Sequence, residues 1–148
     1  MAIQINWVLN NKLAVGPVPR KMEDLKALKN NRIRWILSLC SENEVNVEVN
    51  YEENFCCKRI VLPDHKYKED LTIDKLNLAI NTLAEIIEIG PVYIHCVAGI
   101  ERSPLVCMAW LVKHYDLSPT QALEYLMDVN TGTNPLPKQF RLLKLIKN

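Results

Sequence analysis

The sequence predicts an α/β fold with a single central mixed, largely parallel sheet flanked by helices, and three observations carry that prediction. Short strand-like runs come early in the chain and helical periodicity dominates late. Two runs, Ile33–Leu39 (IRWILSL) and Val92–His95 (VYIH), are apolar on both faces, as central parallel strands are. Leu105–Tyr115 (LVCMAWLVKHY) is apolar almost all round, the pattern of a helix buried between layers.

The elements follow in order. Ile3, Ile5 and Trp7 alternate with polar residues, and Leu13 to Gly16 runs into Pro17 and Pro19. These are two short strands joined by a turn at Asn10 and Asn11, the second ended by the prolines. Met22, Leu25 and Leu28 stand at helical spacing within residues 21–30. After the strand at Ile33–Leu39, residues 41–54 are polar and follow neither period. Cys57–Leu62 forms another short strand, and Pro63-Asp64-His65-Lys66 an exposed loop. Thr72 is an N-cap for a helix with Leu76, Ala79, Ile80, Leu83 and Ile87 on one face, closed by Gly90 and Pro91. The strand Val92–His95 and the buried helix come next. Ser118 and Pro119 then make an N-cap and first-turn proline for a helix ending near Asn130, and Asn134-Pro-Leu-Pro137 precedes a last helix to Ile146.

At 148 residues the chain has the length of one domain, residues 1–148. Its formal charge is +1, and neither sign forms a block, so composition points to no general attraction to nucleic acid or to an acidic membrane. Five cysteines, Cys40, Cys56, Cys57, Cys96 and Cys107, are odd in number and lack zinc-site spacing, so cytosolic thiols, a cytoplasmic location and no metal or cofactor are expected. His65 and His114 read as solvated, Cys56, Cys57 and Cys107 as ordinary or core thiols, and Trp7, Trp35 and Trp110 as core residues.

The chemistry concentrates in VYIHCVAGIERSP, Val92–Pro104. A strand, a tight loop containing Gly99 and a helix N-terminus can turn the backbone N–H groups of residues 97–102 around one point, where the helix dipole adds positive charge. That makes a phosphate-binding loop of Val97, Ala98, Gly99, Ile100, Glu101 and Arg102. The field that binds phosphate also favours a thiolate at Cys96, which makes that residue a nucleophile. Arg102 offers a planar fork for two oxygens of a phosphoryl group. His95, at the strand end, orients the loop by hydrogen bonds.

HCVAGIERS resembles the HCxxGxxRS signature of the cysteine-dependent protein tyrosine phosphatase superfamily. RSPLVCMAWLVKHY, the following Ser-Pro helix and the segment from Asn134 to Phe140 are similar to the dual-specificity branch. The resemblance covers the chain from about Ile33 onward. It implies that Cys96 attacks phosphorus and that Asp64, 32 positions earlier in LPDHK, protonates the leaving oxygen. It also implies that Ser103 hydrogen-bonds the leaving thiolate and that Cys40, in WILSLCSEN, forms a disulfide with the oxidised nucleophile. The implied activity is dephosphorylation of phosphotyrosine and of phosphoserine or phosphothreonine in protein or peptide partners, with no nucleic acid or membrane partner; oligomeric state is left open. The alternatives are a phosphatase of a phosphoinositide or an RNA 5′ phosphate, or a weak phosphate-binding module. Low-molecular-weight phosphatases carry such a loop near the N-terminus, the reverse of this order, and rhodanese-like sulfurtransferases have no use for Asp64. Glu101 departs from the family pattern, which has a small or basic residue there, and it faces either solvent or a second substrate phosphate.

Overall fold

The structure, a computed structural model, describes residues 3–66 and 68–146. Its sheet has the order β1-β2-β5-β3-β4. β1 (Asn6–Leu9) runs antiparallel to β2 (Leu13–Gly16), while β2, β5 (Val92–His95), β3 (Trp35–Ser38) and β4 (Cys56–Arg59) are mutually parallel. The mixed, largely parallel sheet expected from the sequence is therefore present. Asn11 takes the left-handed conformation in the first turn, with φ of 61°, which asparagine tolerates because its short side chain adds little strain there.

Among the described residues, five helices cover the two faces: α1 (Met22–Asn30), α2 (Ile73–Ile87), α3 (Arg102–Tyr115), α4 (Pro119–Val129) and α5 (Pro137–Leu142). Strand alternation decides which residue meets which helix. Leu13, Val15, Leu37, Val92 and Ile94 point into the larger core with Leu76, Ile80 and Leu83 of α2 and Val106 and Met108 of α3. Ala14, Ile36 and Tyr93 point the other way, against Leu25 and Leu28 of α1. Every residue from Arg102 to Val112 is buried, as a helix apolar on all sides requires.

Several boundaries differ from the sequence reading. α3 starts one turn before Leu105, because Pro104 falls within the first turn, where no backbone N–H is needed. β3 ends at Ser38, one residue before the expected Leu39, so Cys40 lies two residues past the strand. β4 is shorter than Cys57–Leu62, although Ile60 N and Leu62 N still donate to Ser38 O and Leu39 O at 2.9 Å. The last helix is split into α5 and a 3-10 turn over Leu143–Leu145. The polar stretch 41–54 folds as two 3-10 turns, Glu42–Glu44 and Tyr51–Glu53, capped by Ser41 and Asn50. His114 is exposed as expected, yet its ring lies 3.9 Å from that of Trp110.

Because β3, β4 and β5 are parallel, the loops after all three leave the same edge of the sheet. Ligands in such sheets bind at the carboxyl ends of the strands. Cys40, Asp64 and Cys96, from three separate parts of the chain, are gathered there.

Candidate active site

The loop after β5 is braced from outside. Val97 O accepts from Val18 N at 3.0 Å, Gly99 O from Asn130 Nδ2 at 2.9 Å and Ile100 O from Asn134 N at 2.6 Å. In a trans peptide the N–H points opposite to the C=O, so the amides of Ala98, Ile100 and Glu101 face the inside of the loop. Gly99 has φ of +75°, and a Cβ there would stand 2.6 Å from the carbonyl carbon of Gly16. No other residue satisfies both the dihedral and the space.

Inside this cradle, Cys96 Sγ lies 3.2 Å from Ser103 Oγ, and both residues are buried. Arg102 is 2% exposed, its fork gripped by Glu44: Nη2 donates to Oε1 at 2.9 Å and Nη1 to Oε2 at 3.1 Å. Nη1 also donates to Leu62 O at 3.1 Å. Burial works against the charge on Arg102, but its hydrogen bonds to Glu44 and the neighbouring anionic groups outweigh it, so the guanidinium is held charged. Glu44 is itself fixed by Ser41 N, which donates to Oε2 at 2.7 Å.

His95 is fully buried between Tyr51 and Tyr93. Nδ1 donates to Cys96 O at 2.8 Å, which leaves Nε2 to accept from Ser38 Oγ at 2.7 Å. These two bonds tie the ring to the end of β3 and to the first carbonyl of the loop. Burial first, then the nearby Arg59 and Arg102, lower its pKa from 6.5 to about 4. Between these two values the unfolded chain takes up a proton that the folded protein refuses, so stability falls as pH falls through this window. The loss approaches roughly 3 kcal/mol at its acid end. Urea midpoints measured from pH 6.5 down to about 4 are expected to fall more steeply for the wild type than for His95→Asn, and identical slopes would contradict a neutral buried His95.

Asp64 is mostly buried, with Oδ1 3.8 Å from Arg102 Nη2. His65 is exposed, as expected, with its Nδ1 3.0 Å from Asp64 Oδ1 and 2.9 Å from Glu101 Oε2. Glu101 does not face solvent: it is buried on the lining of the same cleft as Cys96 and Arg102, and Gln139 Nε2 donates to its Oε1 at 2.8 Å. Burial raises the thiols of Cys40 and Cys107, and moves Cys57 up to about 11.

These groups line a cleft of about 250 Å³ that includes Glu44, Asp64, Cys96, Ala98, Ile100 and Arg102. A larger cleft of about 450 Å³ lies across the Glu42–Glu44 turn, against Cys40, Tyr51, Arg59 and His95, and contains neither Cys96 nor Arg102. A thiol, a hydroxyl donor, inward amides and a charged fork around one small cleft can bind a phosphoryl group and attack it.

The family model for the dual specificity phosphatase catalytic domain matches residues 15–148. The chain belongs to the dual specificity phosphatase family. It is 24% identical over 144 residues to phosphatidylglycerophosphate phosphatase PTPMT2 of Arabidopsis thaliana, covering 95% of this chain and 63% of that protein. It is 21% identical over 140 residues to the rat (Rattus norvegicus) phosphatidylglycerophosphatase and protein-tyrosine phosphatase 1, covering 92% and 72%. Among solved structures, PTPMT1 in complex with PI(5)P superposes with a TM-score of 0.82 at 18% identity, over 96% of this chain and 93% of the other. That similarity shows a shared fold.

Glu44, Gln139, Asn130 and Ser38 also shape the site, and the sequence reading missed all four. Only Glu44 carried a local signal. Ser41-Glu-Asn-Glu44 has the spacing of a capping box, which the structure forms, and that box places the carboxylate against Arg102.

Proposed function

We propose that this chain is a phosphomonoester hydrolase working through a cysteinyl-phosphate intermediate, with the headgroup phosphate of a phospholipid as its substrate class. The observation that carries the reaction is the arrangement of Cys96 Sγ, Ser103 Oγ and the Arg102 fork around one cleft. Cys96 attacks phosphorus while the inward amides and Arg102 hold the transferring oxygens. Asp64 supplies the proton to the departing alkoxide, and Ser103 donates to the sulfur when water later releases phosphate.

The lipid substrate departs from the expected phosphoprotein partner and from the expected absence of a membrane partner. Its support is that one relative matching over almost the whole chain is named a phosphatidylglycerophosphate phosphatase and another a phosphatidylglycerophosphatase and protein-tyrosine phosphatase. The cleft rim fits that class, with Ile100 41% exposed beside the exposed Lys66. A panel of phosphatidylglycerophosphate, a phosphatidylinositol monophosphate, and phosphotyrosine and phosphoserine peptides, assayed with wild type and Cys96→Ser, tests the assignment. The lipids are expected to give kcat/KM at least about tenfold above the peptides, a difference of about 1.4 kcal/mol in transition-state binding. The opposite order would return the assignment to phosphoproteins.

Cys40 belongs to this reading as the thiol that captures an oxidised Cys96. Ser38 is the register partner of His95, so Cys40 and Cys96 both lie just past paired strand ends that stand about 4.8 Å apart. Burial holds the Cys40 thiol protonated, which makes capture slow. After brief peroxide treatment, dithiothreitol is expected to restore wild-type activity but not that of Cys40→Ser, and equal recovery would remove Cys40 from the scheme.

A further inference from the structure

Four side chains stand in series at the mouth of the cleft: Gln139 Nε2 donates to Glu101 Oε1, His65 Nδ1 hydrogen-bonds to Glu101 Oε2, and the same nitrogen lies 3.0 Å from Asp64 Oδ1. They come from α5, the end of the phosphate loop and the loop after β4. We propose that His65 and Glu101, anchored by Gln139, are positioning residues that hold the Asp64 carboxyl where it delivers its proton to the leaving group. The inference rests on the reading of Asp64 as the acid.

The geometry argues for this in three ways. His65 Nδ1 faces two carboxylate oxygens, at 3.0 and 2.9 Å, so this nitrogen carries the hydrogen, which it donates to Glu101 Oε2 while standing at ion-pair distance from Asp64 Oδ1. Asp64 Oδ1 is then the oxygen turned to His65 and Arg102, and Oδ2, which has no protein partner among the described residues, is the oxygen left to carry the transferable proton. Second, Arg102 Nη2 lies 3.8 Å from the same Oδ1 and draws Asp64 toward the seat of the phosphoryl group, where a carboxylate would compete with substrate. The 3.0 Å contact with His65 opposes that pull. Third, His65 is half-exposed and would sample several rotamers alone, but Glu101 is buried and held at its other oxygen by Gln139 at 2.8 Å. A fixed carboxylate therefore fixes the ring.

The same ligand atoms of Asp64, His65 and Glu101 lie within 4.8 Å of one another, a spacing that also raises a metal ion. The contacts of His65 at 2.9 and 3.0 Å are hydrogen-bond lengths, shorter than the roughly 3.3 Å between ligands in a tetrahedral zinc shell. A hydrogen bond to Glu101 and an ion-pair contact with Asp64 account for them directly.

The test compares kcat/KM for two aryl phosphates, phenyl phosphate, whose leaving group needs protonation, and dinitrophenyl phosphate, whose leaving group does not. The ratio of the two, measured on one preparation, is independent of how much of a variant is folded. His65→Ala and Glu101→Ala are each expected to lower phenyl phosphate turnover roughly tenfold more than dinitrophenyl phosphate turnover. His65→Asn, whose side-chain amide places a donor near the position of Nδ1, is expected to recover most of that ratio. An unchanged ratio in His65→Ala would overturn the inference, as would no recovery in His65→Asn. Asp64→Asn separates the two levels of the argument. A large selective loss there with none in the His65 variant defeats only the positioning role, whereas no selectivity in Asp64→Asn defeats the reading of Asp64 itself.

Discussion

Cys96→Ser is expected to bring turnover below about 1% of wild type while inorganic phosphate still binds within a fewfold of the wild-type affinity. The two halves of the result have different physical origins. Turnover needs a sulfur nucleophile, and a serine hydroxyl at that position remains protonated and attacks phosphorus far more slowly. Binding needs the inward amides of Ala98, Ile100 and Glu101 and the Arg102 fork, none of which the substitution touches. The loop is braced by Val18, Asn130 and Asn134, so its shape does not depend on the sulfur. Steady-state rates on an aryl phosphate and calorimetric titration with phosphate check the pair. Turnover well above 1% would require another nucleophile, and loss of phosphate binding would mean that the cradle is held by Cys96 itself.

Arg102→Lys is expected to lower kcat/KM by about 10³ or more, although charge is conserved. The guanidinium satisfies two Glu44 oxygens and Leu62 O at once, and Arg102 also lines the cleft. A lysine ammonium is a point donor on a different stem. It leaves at least one of those buried acceptors unmet, at a cost of about 1–3 kcal/mol in stability. It also loses the paired contacts to the transferring oxygens that strengthen as charge develops. Thermal denaturation and kcat/KM measured together check both effects. A variant with near-normal kcat/KM would contradict the placement of Arg102 at the phosphoryl group.

What was legible in the sequence was local. Cys96, Gly99, Arg102 and Ser103 fall within eight consecutive residues, and a strand period before them and a helix period after them place the loop without any long-range information. The central strands and α3 were legible because residues buried on all sides must be apolar on all sides. The supporting residues were not, because their partners are 58, 38 and 31 positions away for Glu44, Gln139 and Asn130. A polar side chain that meets a polar partner across the fold looks, in sequence, like any surface residue. Glu101 shows the difficulty most plainly. Its neighbours in sequence imply an exposed loop, and only the packing of α5 reveals that it is buried and paired. The stretch 41–54 read as featureless because its turns are held by caps and by one inward aromatic, Tyr51, whose hydroxyl donates to Pro19 O.

The central claim is that phosphate passes through a covalent bond to Cys96. Acid quenching during turnover of an aryl phosphate, followed by proteolysis and mass spectrometry, tests it most directly. The account predicts that the peptide carrying Cys96 gains one phosphoryl group on sulfur, that the adduct disappears once substrate is exhausted, and that Cys96→Ser never forms it. Sustained turnover with no adduct on that peptide, or with the phosphoryl group on a different residue, would contradict it.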